Sequence, residues 1–168
     1  MKTDAIIHAL AGVYNLVNMT TQIDGALAPE LAAGKWTGQL IYTKSAYMSV
    51  VFTTYAMEDL PNNGEGLSWP PSDDPALNPG WAIVAKNVLA YGGPFSIDPA
   101  YPASMTSGGV IHGPLHVKSA PMLSATDQRR NYTVVRGSGK DAQTYLSLIV
   151  RNDTLGRQAT LLWVKVSD

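Results

Sequence analysis

The chain has 168 residues, 45% of them apolar and 15% charged, and it contains no cysteine. That is enough for one domain, 1–168, with a core of its own, and it excludes disulfides, zinc–thiolate sites, iron–sulfur clusters and thiol nucleophiles. Twelve Lys and Arg against thirteen Asp and Glu leave a net charge of -1, which argues against nucleic acid or a membrane surface as the partner.

No stretch approaches the roughly 18 consecutive apolar residues of a membrane span, and the start is too short and too polar for a signal peptide. A soluble, cytoplasmic protein is expected. Thr3–Asp4 can cap one or two helical turns carrying Ile6, Ile7 and Leu10. Gly12 breaks that run, and VYNLVNMTTQ reads as a first strand from its β-branched and aromatic content. A Gly- and Pro-containing loop leads to GQLIYTKSAYMSVVFTTY, where two apolar runs flank the turn Lys44–Ser45 and predict a β-hairpin.

The segment from Glu58 to Gly80 changes character, with Pro61, Pro70, Pro71, Pro75 and Pro79 and a net acidic charge. A stretch of this kind inside a compact domain suits a lid over a site or a tolerated surface insertion, and Trp69 between prolines favours a packed loop. WAIVAKNVLAYGG then predicts one internal helix, with Asn78 near its start and Gly92–Gly93 as its stop. From Pro94 onward the pattern is strand and turn: GPFSIDP, GGVIHGPLHVK, DQRRNYTVVRG, AQTYLSLIVRND and RQATLLWVKVSD. About eight short strands without βαβ alternation predict a mainly β fold, a single closed antiparallel barrel with a short N-terminal helix and one internal helix.

The order of these pieces resembles the small bacterial and fungal lipocalin-like domain proteins. Gly12-Val-Tyr14-Asn-Leu-Val17 is similar to that family's opening G-x-W-x-L-V strand, with tyrosine in place of tryptophan. Gly38-Gln-Leu-Ile-Tyr42-Thr followed by Tyr47-Met-Ser49 resembles its G-x-(L/I)-x-Y-(T/S) and G-x-M-S segment. Ala90-Tyr91-Gly92-Gly93-Pro94-Phe95 with Ile97-Asp98, Thr126-Asp127-Gln128-Arg129-Arg130-Asn-Tyr132 and Leu161-Leu-Trp163 resemble three later strands in sequence order. Two positions depart from the pattern. Val164–Lys165 replaces the usual Glu–Arg after the last tryptophan, and an often adjacent histidine pair is here His112 and His116, split by Gly113–Pro114. The resemblance implies a lipocalin-like barrel around an apolar cavity. Some small barrels of this general kind resemble cyclases of natural-product pathways, a fold-level analogy only.

Few residues can carry chemistry in such a cavity. His112 and His116, two of three histidines, share a parity that a regular strand would place on one face, although Pro114 predicts a bulge or edge there. They suit a general acid and base, or a hydrogen-bonded surface pair. Nothing nearby supplies a third metal ligand, so no metal is expected. In DQRRNY, Gln128, Arg130 and Tyr132 share one face and Arg129, Asn131 and Thr133 the other. Whichever face points inward carries a guanidinium that requires a carboxylate, an anion or a carbonyl. Arg130 with Tyr132 is the preferred inward pair; an outward Arg130 in surface ion pairs is the alternative.

Eight tyrosines against two phenylalanines is an unusual bias. Tyr14, Tyr42, Tyr47, Tyr91, Tyr132 and Tyr145 fall in or beside predicted strands or at the predicted helix end, and with Met48, Trp81 and Trp163 they suit an aromatic cavity. Half-exposed strand tyrosines are the simpler alternative for any one of them. The expectation is a cofactor-independent cyclase or isomerase of secondary metabolism acting on one apolar polyketide or terpenoid substrate. Arg130, His116 and Tyr132 would be the catalytic groups. Tyr42, Met48, Trp81, Tyr91, His112, Gln128, Tyr145 and Trp163 would bind the substrate, beneath a lid at 58–80. The alternatives are a non-catalytic carrier or sensor of a hydrophobic small molecule and a subunit that works as a homodimer.

Overall fold

The computed structural model describes residues 3–28, 36–54, 67, 70–72, 79–124, 127–138 and 142–168. Most of the Pro-rich 58–80 segment, with Trp69 and Asn78, lies outside the described residues. The chain opens with helix α1 (Thr3–Leu10), whose Ile6, Ile7 and Leu10 are buried on one face. Asp4 in its first turn and His8 in its last agree with the helix dipole. The hydroxyl of Tyr14 donates to the carbonyl of Leu10 at 2.7 Å, satisfying a group that the helix end leaves open.

Strand β1 (Gly12–Ile23) follows, then the two-residue β2 (Ala26–Leu27), β3 (Trp36–Tyr42) and β4 (Tyr47–Thr54). The Lys44–Ser45 turn joins β3 to β4, in register from Trp36 opposite Thr54 to Tyr42 opposite Met48. Period-two alternation buries Met48, Val50, Phe52 and Thr54 of β4 and exposes Tyr47, Ser49 and Val51. Helix α2 (Pro79–Asn87) leads directly into β5 (Val88–Ile97).

The internal helix is therefore shorter than the sequence pattern predicts. Its apolar positions fit a helix only as far as Asn87, whose side-chain amide donates to the carbonyl of Ile83. Beyond it, Val88 to Pro94 pair with Thr53 to Tyr47 of β4, and that ladder overrides the local helical pattern. Gly92–Gly93 do not stop a helix; they lie inside the strand. A Cβ on Gly93 would sit 2.7 Å from the carbonyl oxygen of Pro114, which crosses over it, so only glycine fits.

The remaining strands are β6 (Ser107–His112), the short β7 (Val117–Lys118), β8 (Gln128–Arg136), β9 (Thr144–Asn152) and β10 (Arg157–Ser167). Neighbours run β10-β9-β8-β6-β5-β4-β3-β1, all antiparallel, and β10 pairs with β1 from Val13 opposite Ser167 to Ile23 opposite Arg157. Eight long strands thus close a barrel, as expected for this mainly β chain, and the two edges of the sheet satisfy each other. Register shifts at Val13/Tyr14 and Leu16/Asn18 are bulges that let β1 coil around the closure.

Leu10, Tyr14, Tyr42, Phe95, Val110 and Leu146 fill the half of the barrel nearest α1. Among the described residues, no helix is long and apolar enough to cross a membrane.

Candidate functional site

The other half of the barrel is hollow. Its cavity has a volume of about 240 Å3 and ends inward at His112 and Leu40. Trp36, Phe52 and Trp163 form an aromatic wall, with Phe52 edge-on to Trp36 (ring centroids 6.5 Å apart) and tilted against Trp163 (5.5 Å). Val50, Leu148 and Leu161 continue the wall inward, while Met19, Leu89, Leu123, Val150 and Ala159 complete it. The lining follows from strand parity, since each strand contributes every second residue.

Among the described residues, four polar side chains interrupt this surface, and all sit on the run β5, β6 and β8: Tyr91, His112, Gln128 and Arg130. His112 is opposite Gln128 and Val110 opposite Arg130 in the β6–β8 ladder, so the polar groups gather on one side. Arg130 donates through Nη1 to the carbonyl of Arg129 at 2.7 Å. Its Nη2 donates to Gln128 Oε1 at 3.1 Å and, more loosely, to the Tyr91 hydroxyl at 3.4 Å. Among the described residues no carboxylate pairs with it. Arg129, on the opposite face of β8, differs: its Nη1 lies 2.8 Å from Oδ2 of the buried Asp98. The strand thus carries one neutralised guanidinium outside and, inside, one without a counter-charge among the described residues.

Below the cavity, the Tyr42 hydroxyl and His112 Nε2 are 2.6 Å apart in fully buried surroundings. Burial lowers the His112 pKa from 6.5 to about 3, with the Arg130 charge as a second cause, so the imidazole is neutral at physiological pH. Burial likewise pushes Tyr42 well above its ordinary value, aided by Tyr91, so it stays protonated. The hydrogen-bond inventory then selects a tautomer. If Nε2–H donated, the Tyr42 O–H and a bare Nδ1 would both lack partners; if Tyr42 donates, only the Nδ1–H does. The second arrangement leaves fewer groups unsatisfied.

The structure therefore brings together five of the residues singled out by sequence: Tyr91, His112, Gln128, Arg130 and Trp163. Tyr42, Met48 and Tyr132 also point inward but lie deeper. Tyr42 supports His112, Met48 is packed in the core, and the Tyr132 hydroxyl donates to the carbonyl of Ser104 at 2.6 Å. Burial raises the Tyr132 pKa, and that hydrogen bond opposes the shift.

Three of the residues singled out by sequence stand away from this cavity. His116 does not join His112: the chain leaves β6 at Gly113, whose φ of +139° requires glycine, and His116 stands exposed outside the barrel against Tyr47, ring centroids 6.1 Å apart. Tyr145 has the outward parity of β9 and donates to Gln143 Oε1. Trp81 is half-buried on α2 and is not part of the lining.

Sequence reasoning missed Trp36 and Phe52, although their parity with Tyr42 and Met48 would have revealed both. Leu123 carried no signal, because it reaches the cavity from a 3-10 turn (Pro121–Ser124).

Residues 11–166 match the lipocalin-like domain family over almost the whole chain. The chain belongs to that family. No curated protein and no solved structure matches it. As a lipocalin-like barrel with an apolar cavity, it fits a hydrophobic small-molecule ligand.

Proposed function

We propose that this lipocalin-like protein is a cofactor-independent cyclase or isomerase of secondary metabolism, acting on one apolar polyketide or terpenoid held in the barrel. The observation that carries the reading is Arg130: a cation without a carboxylate partner among the described residues, facing a cavity that is otherwise mostly hydrocarbon. A half-buried guanidinium and the adjacent Tyr91 hydroxyl are fixed donors for an oxygen on which negative charge develops. The apolar walls hold the rest of the substrate folded and exclude water, so orientation supplies the remainder. His112 serves as a neutral positioning group backed by Tyr42, and Gln128 orients Arg130.

One observation favours a second reading, a carrier of a hydrophobic molecule. The imidazole in the cavity is held neutral down to about pH 3 and is not poised for proton transfer near neutrality. Metabolites of the source organism, compared with those of a strain lacking the gene, separate the two. Loss of a cyclised product with accumulation of an equal-mass isomer or uncyclised precursor, which purified protein then converts without added cofactor, is expected of the enzyme. Unchanged products with altered titre or export would leave the carrier.

A further inference from the structure

Three buried side-chain polar atoms among the described residues have no hydrogen-bond partner: Nε1 of Trp36, Nδ1 of His112 and Nε1 of Trp163. All three belong to residues that line the cavity. The two indole nitrogens can only donate, and the tautomer argued above makes Nδ1 of His112 a donor as well. Arg130 adds a fixed positive charge, and among the described residues three donations from its five N–H groups are seen. Tyr91 accepts from Arg130, and its own proton has no acceptor among the described residues. Among the described residues the cavity wall thus carries a surplus of donors and one positive charge, since no described carboxylate lines it and its histidine is neutral. A protein interior normally pairs such groups, because each unpaired one costs about 1–3 kcal/mol.

We infer that the occupant of this cavity is a monoanion, an apolar body bearing one ionised oxygen group seated on Arg130 and Tyr91. A carboxylate and the enolate of a 1,3-dicarbonyl share this chemistry: a charge of -1 spread over two oxygens that accept without donating. A dianion is disfavoured, since Arg130 is the one cation lining the cavity among the described residues, and an amine cation would meet Arg130 repulsively. This inference rests on the apolar-ligand reading above and narrows it to a charge class.

Displacement of the neutral fluorophore N-phenyl-1-naphthylamine from the full chain tests it. The competitors share one chain length: decanoate, decane-2,4-dione as its enolate, and 1-decanol. At least one anion is expected to bind about tenfold or more tightly than 1-decanol. Stronger decanoate binding assigns the carboxylate, stronger dione binding the enolate. Arg130→Met should abolish that preference while leaving 1-decanol within about twofold, and Arg130→Lys should retain part of it. Tyr91→Phe, which keeps the ring and removes one donor, gives an independent reading if Arg130→Met fails to fold; it should reduce the preference severalfold. If the fluorophore binds but the alcohol competes as well as both anions, the monoanion inference is wrong and the apolar cavity stands. If neither the fluorophore nor any competitor binds, both readings fall.

Discussion

The hydroxyl of Tyr42 and Nε2 of His112 lie 2.6 Å apart across the barrel, although 70 residues separate them in the chain. This contact fixes an imidazole that faces the cavity and that burial keeps neutral, and it divides the filled half of the barrel from the hollow half. The Tyr42 ring also packs on Phe95 and edge-on against Tyr14, so the position of His112 is set from the core outward.

Removing either partner should leave a buried polar atom unsatisfied. Tyr42→Phe and His112→Phe are each expected to destabilise the fold by about 1–3 kcal/mol. The double variant should lose less than the sum of the two by about 1 kcal/mol. Urea denaturation of the four chains measures this coupling; strict additivity would show that the hydrogen bond contributes nothing.

The same imidazole makes a pH prediction. His112 has a pKa of about 3 in the fold against an ordinary 6.5, with Tyr42, Tyr91 and Arg130 facing it. Between these values the unfolded chain binds a proton that the folded chain refuses. Its contribution is therefore fully present above about pH 6.5 and is lost as pH falls toward 3, at up to about 1.4 kcal/mol per pH unit. Stability measured from pH 7 to 4 should decline more steeply for the wild type than for His112→Gln. Parallel curves would contradict the assignment.

Arg130 should matter for chemistry rather than for folding. Arg130→Leu is expected to lower conversion of the natural substrate by about 100-fold or more, the scale of losing an oxyanion donor. Affinity for a neutral apolar reporter should stay nearly constant, and thermal stability should hold or rise, because a half-buried charge without a counter-ion among the described residues is removed. A parallel fall in reporter binding would instead assign Arg130 to the architecture of the cavity.

Filling the hollow half should block it. Ala159 lines the cavity from β10 beside Val150 and Leu161, and Ala159→Phe projects a ring into open space. Binding of an apolar reporter is expected to weaken about tenfold or more, with a stability change within about 1–2 kcal/mol because existing volume is taken up. Titration with the reporter and a melting curve read both quantities. Unchanged binding would show that ligands occupy a different part of the molecule.

Gly93 tests the wall itself. A methyl group there meets backbone, the carbonyl oxygen of Pro114 at 2.7 Å, and a backbone atom cannot swing aside as a side chain does. Gly93→Ala should destabilise by about 1–3 kcal/mol. Gly25→Ala, with nothing within 4 Å of its Cβ, should lose only the roughly 1 kcal/mol of a positive φ. Equal melting temperatures for the two variants would contradict the close crossing over Gly93.

The sequence by itself determined the barrel. Its short strands, the Lys44–Ser45 hairpin and the apolar N-terminal helix are local patterns that need no knowledge of partners. It also narrowed the polar candidates to a few tyrosines, His112 and His116, Gln128 and the Arg129–Arg130 pair. Strand periodicity separates two faces but does not say which one is inside; the pairing of β6 with β8 decided that, turning Arg130 inward and Arg129 out to Asp98. His112 and His116 share a parity that counts only while the strand continues, and it ends at Gly113. The end of α2 at Asn87 was equally invisible, because Val88–Pro94 gain more from the β4 ladder than from another helical turn. Tertiary structure alone decided where the apolar residues stop filling the barrel and begin to line it. That boundary depends on side chains from strands far apart in the chain, and the Tyr42–His112 contact marks it.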